Sequence, residues 1–110
     1  MEIKVSDIKD IKLVRIIGSL DTNTAAEAES AINELLAQGI LKIIIDLSET
    51  GYVSSAGLRI FLATAKKITA SGGAVKLCSP NAVVKEVLDI SGFSIILDVK
   101  ETLEQAVEGM

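Results

Sequence analysis

The chain has 110 residues, of which 49% are hydrophobic and only 3% aromatic, so we expect one domain with an aliphatic core. Its formal net charge is −4 and its basic residues form no cluster larger than Lys66-Lys67, which argues against nucleic acid as the main ligand. With no histidine and one cysteine, the chain lacks the residues for Ser–His–Asp or Cys–His catalysis, an intramolecular disulfide or a Cys/His zinc site.

The sequence also argues against a membrane protein. No apolar run approaches the roughly 20 residues that a spanning helix needs, and Met1–Asp7 lacks the layout of a signal peptide. We therefore expect a cytoplasmic protein that binds no membrane. No large exposed apolar stripe is evident and no cofactor motif occurs, so we expect a monomer without metal or cofactor.

The first part of the chain predicts two strands and a helix. Glu2–Ser6 and Ile11–Ile17 alternate apolar and polar residues, as half-buried strands do. Gly18 can form a bulge where the second strand ends. Thr24–Glu27 matches a capping box, and Gly39 suits the end of the helix that follows.

A buried strand and a second helix are predicted next. Ile40–Ile45 is a nearly continuous apolar run, which is typical of a strand covered on both faces. Helical spacing begins near Ser55 and ends at Ser71–Gly73. The predicted apolar stripe of this helix consists of Leu58, Phe61, Leu62, Ala65 and Thr69.

The last part of the chain predicts two more strands and two more helices. Ala74–Cys78 is a strand, Ser79 and Pro80 are expected to start a helix, and Ser94–Leu97 is a short strand before a terminal helix. The order ββαβαβαβα places helices between the later strands. It predicts an α/β domain over residues 1–110, with helices packed against a mixed sheet.

Ser54 and Ser55 lie where a loop becomes a helix, and they are the main candidates for a functional site. The first N–H groups of a helix are unpaired and carry the positive end of its dipole, so a serine there is either an N-cap or a position that tolerates a phosphate. A cap needs one hydroxyl, and here there are two. Gly57 is expected to leave the first turn bare, so that a partner's active site can approach the backbone.

The outer face of the same helix is predicted to form a flat contact surface beside the serines. At about 100° per residue, the positions opposite the predicted apolar stripe are Ala56, Ile60, Ala63 and Lys67. Ile60 is therefore expected to be exposed or at the edge of the stripe.

The sequence fits other kinds of functional site less well. Val53–Gly57 has valine where the nucleophile elbow of a serine esterase needs glycine, and no histidine completes a triad. Cys78 lacks the arginine that would hold oxyanions in a cysteine phosphatase, so we expect a half-buried thiol at a strand end. No nucleotide-binding glycine motif occurs. Asp21 and Asp46 could still flank Ser55 and bind a magnesium ion or orient a hydroxyl.

Three segments together carry a known pattern: Gly18-Ser-Leu-Asp21, the stretch from Asp46-Leu-Ser48 to Tyr52-Val-Ser-Ser-Ala-Gly-Leu58, and Gly72-Gly-Ala-Val-Lys-Leu-Cys78. With them the chain resembles the bacterial anti-sigma factor antagonists of the STAS domain family, over nearly its whole length. The resemblance implies a mixed sheet of four to five strands, with helices mainly on one side, and a regulator that is not an enzyme.

The resemblance also implies a partner-switching function. In that family the antagonist binds a kinase-type anti-sigma factor and so releases the sigma factor. The anti-sigma factor phosphorylates a serine at the start of a helix, which ends the binding, and a serine phosphatase restores the antagonist. By position, the phosphorylated serine of the family's Asp-Ser-Ser-Gly-Leu pattern corresponds to Ser55.

The chain departs from the family pattern around this serine. Ser54 replaces the Asp and is the alternative acceptor, Ala56 replaces the second Ser, and Arg59 follows the leucine. The predicted partner-binding residues are Asp21, Ser54, Ser55, Ala56, Gly57, Ile60, Ala63 and Lys67.

Two other functions stay open from the sequence. One is a STAS scaffold subunit of a signalling complex, in which the serines only cap the helix. The other is a small protein that binds a nucleotide or phosphate with Asp21, Asp46 and Ser55.

Overall fold

The computed structural model describes all 110 residues and contains six strands and five helices. The strands are β1 (Glu2–Ile8), β2 (Ile11–Leu20), β3 (Lys42–Asp46), β4 (Thr50–Val53), β5 (Ala74–Cys78) and β6 (Asp98–Lys100). The helices are α1 (Ala25–Ala37), α2 (Ser55–Ala70), α3 (Ala82–Ile90), α4 (Phe93–Ile96) and α5 (Leu103–Glu108). None of these helices is both long and apolar enough to cross a lipid bilayer.

The strands form one mixed sheet, which confirms the predicted α/β fold class, although the sheet has six strands rather than four to five. Its order is β1-β2-β3-β5-β6, and β4 pairs with β2. β1 is antiparallel to β2, whereas all other pairs are parallel. β3 lies along the middle of β2, and β4 continues beside the end of β2. Because parallel strands point the same way, the loops that follow β2, β3, β4 and β5 lie at one edge of the sheet, where α/β proteins commonly build their sites.

The two faces of the sheet are covered unequally. Alternate residues of β2, β3 and β5 pack with α1, α2 and α3 in a main core of 19 buried residues. The other face meets α5 through a smaller cluster made of Ile11, Leu13, Ile44, Cys78 and Ala106. Helices lie mainly on one side of the sheet, as the resemblance implies.

The sequence does not predict β4, because this strand has only four residues and one of them is a glycine. The turn before it is closed by a hydrogen bond from the Thr50 N–H to the Leu47 carbonyl (3.0 Å). The Thr50 hydroxyl then donates to the Ile16 carbonyl of β2 (2.6 Å). β4 pairs with β2 where the register shifts at Gly18, whose φ is 104°. The predicted bulge is therefore confirmed, and the extra strand lies beside it.

The predicted strand at Ser94–Leu97 is wrong, because α4 occupies most of this stretch and β6 begins only at Asp98. The apolar run suggested a short strand, but it forms helix, and Ile95 is 90% exposed and Ile96 is 63% exposed. A short apolar run does not by itself distinguish a strand from a helix. Gly92, with a φ of 80°, lets the chain turn from α3 into α4.

The start of α3 also differs from the prediction, since Asn81 and not Ser79 is its N-cap. The side-chain oxygen of Asn81 accepts a hydrogen bond from the Val84 N–H (2.8 Å), and its amide donates to the Thr50 carbonyl (3.0 Å). The cap therefore also ties α3 to β4. Ser79 has a φ of 58°, and its N–H donates to the Lys100 carbonyl (3.1 Å).

Candidate functional site

The two serines at the start of α2 have different roles in the structure. Ser54 is the N-cap, and its hydroxyl accepts a hydrogen bond from the Gly57 N–H at 3.4 Å. The Ser54 N–H donates to the Leu20 carbonyl at the end of β2 (2.9 Å), and its carbonyl accepts from the Leu58 N–H (2.9 Å). Ser55 is the first helical residue; it is exposed, and its hydroxyl makes no hydrogen bond within the chain. One hydroxyl is engaged as a cap and the other is available to another molecule.

Gly57 brings the first turn of α2 close to the sheet, and the prediction that it leaves this turn bare is wrong. The residue is buried, and a Cβ at this position would lie 2.9 Å from side-chain atoms of both Leu20 and Val53. Those two side chains are themselves fully buried and have no room to retreat. The glycine therefore allows β2, β4 and α2 to pack closely, which fixes the position of the serines.

The outer face predicted for α2 points largely toward the rest of the protein. Ile60 is only 7% exposed and belongs to the main core, so its predicted exposure is wrong. Ala56 and Ala63 are half-buried. Lys67 is exposed but donates a hydrogen bond to the Asn33 side chain of α1 (3.1 Å). This row of residues therefore borders α1.

The outward face of α2 consists instead of Ser55, Arg59, Leu62 and Lys66. Ser55, Arg59 and Lys66 are exposed, and Leu62 is half-buried. At about 100° per residue, the directions of Arg59, Leu62 and Lys66 around the helix axis differ from that of Ser55 by at most about 40°. Arg59 and Lys66 are not among the predicted site residues, and Leu62 is predicted in the apolar stripe. Helical spacing counted from Ser55 identifies all three.

α2 carries positive charge that has no partner within the chain. Three of the 11 basic residues lie on this helix, and none of the 15 acidic residues does. Arg59, Lys66 and Lys67 form no ion pair. Ion pairs engage six of the other basic residues, namely Lys12, Arg15, Lys42, Lys76, Lys85 and Lys100. The outward face of α2 thus presents cations to solvent, although the net charge of the protein is −4.

The loop after β2 lies beside the serines, because Leu20 pairs with Val53 in the parallel ladder. In this loop the Asp21 carboxylate accepts hydrogen bonds from the N–H groups of Asn23 (2.9 Å) and Thr24 (3.2 Å). The predicted capping box is wrong, since the Thr24 side chain makes no cap hydrogen bond to α1. Asp21 therefore shapes the loop at the serine edge.

Tyr52 adds an aromatic side chain to the same edge. It is the only tyrosine of the chain, lies on β4 shortly before the Ser54 cap, and is 47% exposed. Exposed aromatic side chains are enriched at the centres of protein interfaces. Tyr52 is not among the predicted site residues, because the sequence does not predict a strand at this position.

Asp46 is not part of this site. Its buried carboxylate accepts hydrogen bonds from the Arg15 Nε (3.1 Å) and the Ser48 N–H (2.9 Å). Strand alternation places it on the same face as Ile44, which packs toward α5 and away from α2. The structure therefore does not bring Asp46 to Ser55. No group of three or more His, Cys, Asp and Glu residues in the chain is arranged to hold a metal ion.

Cys78 is a buried thiol at the end of β5. Burial raises its pKa to about 11, and the negative charge of Asp46 acts in the same direction. Because the thiolate is the reactive form of cysteine, this thiol is a poor nucleophile near neutral pH. The prediction of a strand-end thiol is confirmed, although the side chain is fully rather than half-buried.

The whole chain is similar to proteins of one family. The family model of the STAS domain matches residues 2–106. The anti-sigma-F factor antagonist RsfB of Mycobacterium tuberculosis is 31% identical over 98% of this chain and 88% of its own length. The anti-sigma-B factor antagonist of Bacillus subtilis is 30% identical over 86% of each protein. The crystal structure of an anti-sigma factor antagonist from Mycobacterium paratuberculosis is 25% identical, with a TM-score of 0.91 over 98% of this chain and 92% of that one. The resemblance is confirmed, and the chain belongs to the STAS domain family.

Proposed function

We propose that this chain is an antagonist of a kinase-type anti-sigma factor, and that phosphorylation of Ser55 by this partner ends their binding. The observation that carries the proposal is the exposed, unbonded hydroxyl of Ser55 at the start of a helix whose outward face is basic. The similarity to anti-sigma factor antagonists supports the class of partner. A serine phosphatase then returns the chain to its binding form.

The unphosphorylated chain binds its partner through the outward face of α2, together with Tyr52 and the Asp21 loop. Arg59 and Lys66 lack ion partners in the chain, so an acidic surface on the partner complements them. Leu62 and Tyr52 contribute apolar contact between these charges. The surface is supported from beneath by the close packing of the first turn, so it needs no rearrangement before binding.

The modification is a phosphoryl transfer from a nucleoside triphosphate bound to the partner. Ser55 Oγ attacks the γ-phosphorus and gives its proton to a base of the kinase, while the bond from the γ-phosphorus to the diphosphate oxygen breaks and the nucleoside diphosphate leaves. This chain contributes an acceptor at a fixed position. The Ser54 hydroxyl is engaged as the cap, which favours Ser55 as the acceptor.

Phosphorylation acts on binding rather than on the fold. It adds about −1.5 to −2 charge at a helix start, where an anion is well tolerated. Ser55 is exposed, so the phosphate displaces nothing from the core. In the complex the same charge meets an acidic surface and the nucleotide of the kinase. A loss of about 3 kcal/mol in binding free energy weakens affinity more than a hundredfold.

The test uses the full chain, its Ser55→Ala, Ser55→Asp and Ser54→Ala variants, and an anti-sigma factor kinase from the same organism with ATP and Mg²⁺. Phosphopeptide mass analysis locates the modification, and titration calorimetry measures binding. We expect one phosphate on Ser55 in the unmutated chain and in Ser54→Ala, and none in Ser55→Ala. Ser55→Ala should bind like the unmutated chain, whereas Ser55→Asp should bind at least about tenfold more weakly.

Ser30→Asp is the matched control, because Ser30 is an exposed helical serine on α1, away from the proposed surface. It adds the same charge and should leave binding unchanged. A phosphate on Ser54 with Ser55 unmodified refutes the assignment of the acceptor. Equal binding by Ser55→Ala and Ser55→Asp refutes the switch and favours a constitutive scaffold, in which the serines have structural roles only.

A further inference from the structure

We propose that Arg59 binds the phosphate of phosphorylated Ser55 within α2, and that it thereby stabilises the phosphorylated state. This inference rests on the proposed function, since it concerns the modified form of the same site. It assigns a role to an arginine that is not among the predicted site residues. The interaction lies entirely within the chain and needs no partner.

The helix geometry places the two residues together. Arg59 follows Ser55 by four positions on the exposed side of α2, the spacing at which helical side chains are neighbours. Four residues advance a helix by about 6 Å, and helical side chains lean toward the N-terminus. The guanidinium of Arg59 is therefore within reach of a phosphate on Ser55. An anion that precedes a cation by four positions is also the more favourable order.

The guanidinium of Arg59 is available for this role. The only other arginine, Arg15, lies beside the carboxylates of Asp46 and Glu49, at 3.1 and 3.9 Å. Arg59 forms neither an ion pair nor a side-chain hydrogen bond in the chain. Its planar fork of N–H groups matches two phosphate oxygens at once.

Other charged groups around the start of α2 do not replace Arg59. The carboxylate of Asp21 is already hydrogen-bonded within its own loop. Glu49 lies beside Arg15, and its charge could only repel a phosphate. Lys66, the next cation of the outward face, is about three turns from Ser55, or about 16 Å along the helix. Arg59 is therefore the cation of α2 that a phosphate on Ser55 can reach.

The same arginine belongs to the surface that faces the partner before modification. When it binds the phosphate, it is withdrawn from the acidic surface of the partner. One modification thus adds negative charge and also neutralises a positive charge that binding uses. The two effects act in the same direction.

The test is a ³¹P NMR titration of the full chain with phosphoserine installed at position 55 during translation, so that no kinase is needed. The second pKa of phosphoserine is about 6, and a bound guanidinium lowers it because it favours the dianion. We expect the phosphate of Arg59→Met to have a pKa about 0.3 to 0.6 higher than that of the unmutated chain. The phosphate pKa of Arg59→Lys should lie between the values of these two proteins. Lys66→Met is the matched control and should titrate like the unmutated chain.

The positive end of the α2 dipole shifts the pKa of the phosphate equally in all variants, so it does not contribute to the difference between them. Equal phosphate pKa values in the unmutated chain and in Arg59→Met overturn the inference. An equal rise in Lys66→Met also overturns it, because the effect then comes from the general charge of α2. Failure of the proposed function is distinguishable. A kinase that does not modify Ser55 removes the switch, yet it leaves the titration difference of the installed phosphoserine intact.

Discussion

Replacement of Ser54 by alanine tests the different roles of the two serines. It removes the acceptor for the Gly57 N–H, a bond of 3.4 Å that is long for its type. Helix caps contribute about 0.5 to 2 kcal/mol, so for this long bond we expect a loss of about 0.5 to 1 kcal/mol. Ser55 caps nothing, and alanine is the better helix former. Ser55→Ala should therefore be neutral or stabilising by a few tenths of a kcal/mol.

Urea unfolding followed by circular dichroism measures both variants. The slope for a small domain is about 1 to 3 kcal/mol per molar urea, so Ser54→Ala should lower the midpoint by about 0.2 to 1 M at constant slope. Ser54→Asp keeps a cap acceptor and should restore the midpoint. If Ser55→Ala lowers the midpoint as much as Ser54→Ala, or if Ser54→Ala leaves it unchanged, the assignment of the roles is wrong.

Three further predictions concern the support of the site and the rest of the sheet. Gly57→Ala should destabilise the fold by roughly 1 kcal/mol, because the cost of overpacking, about 1 to 3 kcal/mol, exceeds the gain in helix propensity. Gly51→Ala is the control: an added Cβ at Gly51 would have nothing within 4 Å, so this variant should be neutral in the same urea assay. Asp98→Asn should destabilise at pH 7. The hydrogen bond from Lys76 lowers the pKa of Asp98 in the folded protein below 3.8. The stabilisation by this pair is therefore complete above the pKa of Asp98 in the unfolded chain, and it is lost as the pH falls through the pKa of Asp98 in the folded protein. The difference between Asp98→Asn and the unmutated chain in acid unfolding should therefore shrink below pH 3.8, and a constant difference would contradict the pairing. Cys78 should resist iodoacetamide in the native protein and react in urea, as intact mass would show; rapid native labelling would contradict its burial.

The sequence predicts the sheet well where a residue pattern has one structural solution. The predicted strand Ile40–Ile45 overlaps β3, and three consecutive isoleucines in it are fully buried because the strand is central and covered on both faces. Gly18 and Gly39 have positive φ values of 104° and 82° at the predicted bulge and helix end. In each case local chemistry and the tertiary structure favour the same conformation.

The orientation of α2 could not be predicted from hydrophobic spacing, because apolar residues surround most of this helix. The buried side is rotated by about 100°, or one residue, from the predicted stripe. Two residues without an apolar signal help to set the observed orientation. Gly57 makes the closest approach to the sheet, and Thr64 is buried because its hydroxyl donates to the Ile60 carbonyl (2.8 Å).

The position of the candidate site was easier to predict than its surface. A strand followed by paired serines and a helix marks the carboxyl edge of the sheet, and the structure has α2 begin there at Ser55. Which side chains surround the serine depends on the rotation of α2 and on β4, a strand that exists through its pairing with β2. Tyr52 became a candidate only when β4 was known, whereas helical spacing counted from Ser55 is enough to identify Arg59.

The tight packing beneath α2 supports the proposal that phosphorylation of Ser55 changes binding without changing the fold. Gly57 and the Ser54 cap hold the first turn against β2 and β4, so the helix has little freedom to shift when a phosphate is added outside it. In the proposed switch, the new charge then acts at the surface, through repulsion from an acidic partner and attraction to Arg59. A loosely packed first turn would instead absorb part of that energy by moving. The buried glycine and the exposed serine therefore have linked roles in the proposed switch, since Gly57 gives Ser55 a fixed position from which the charge of a phosphate would act.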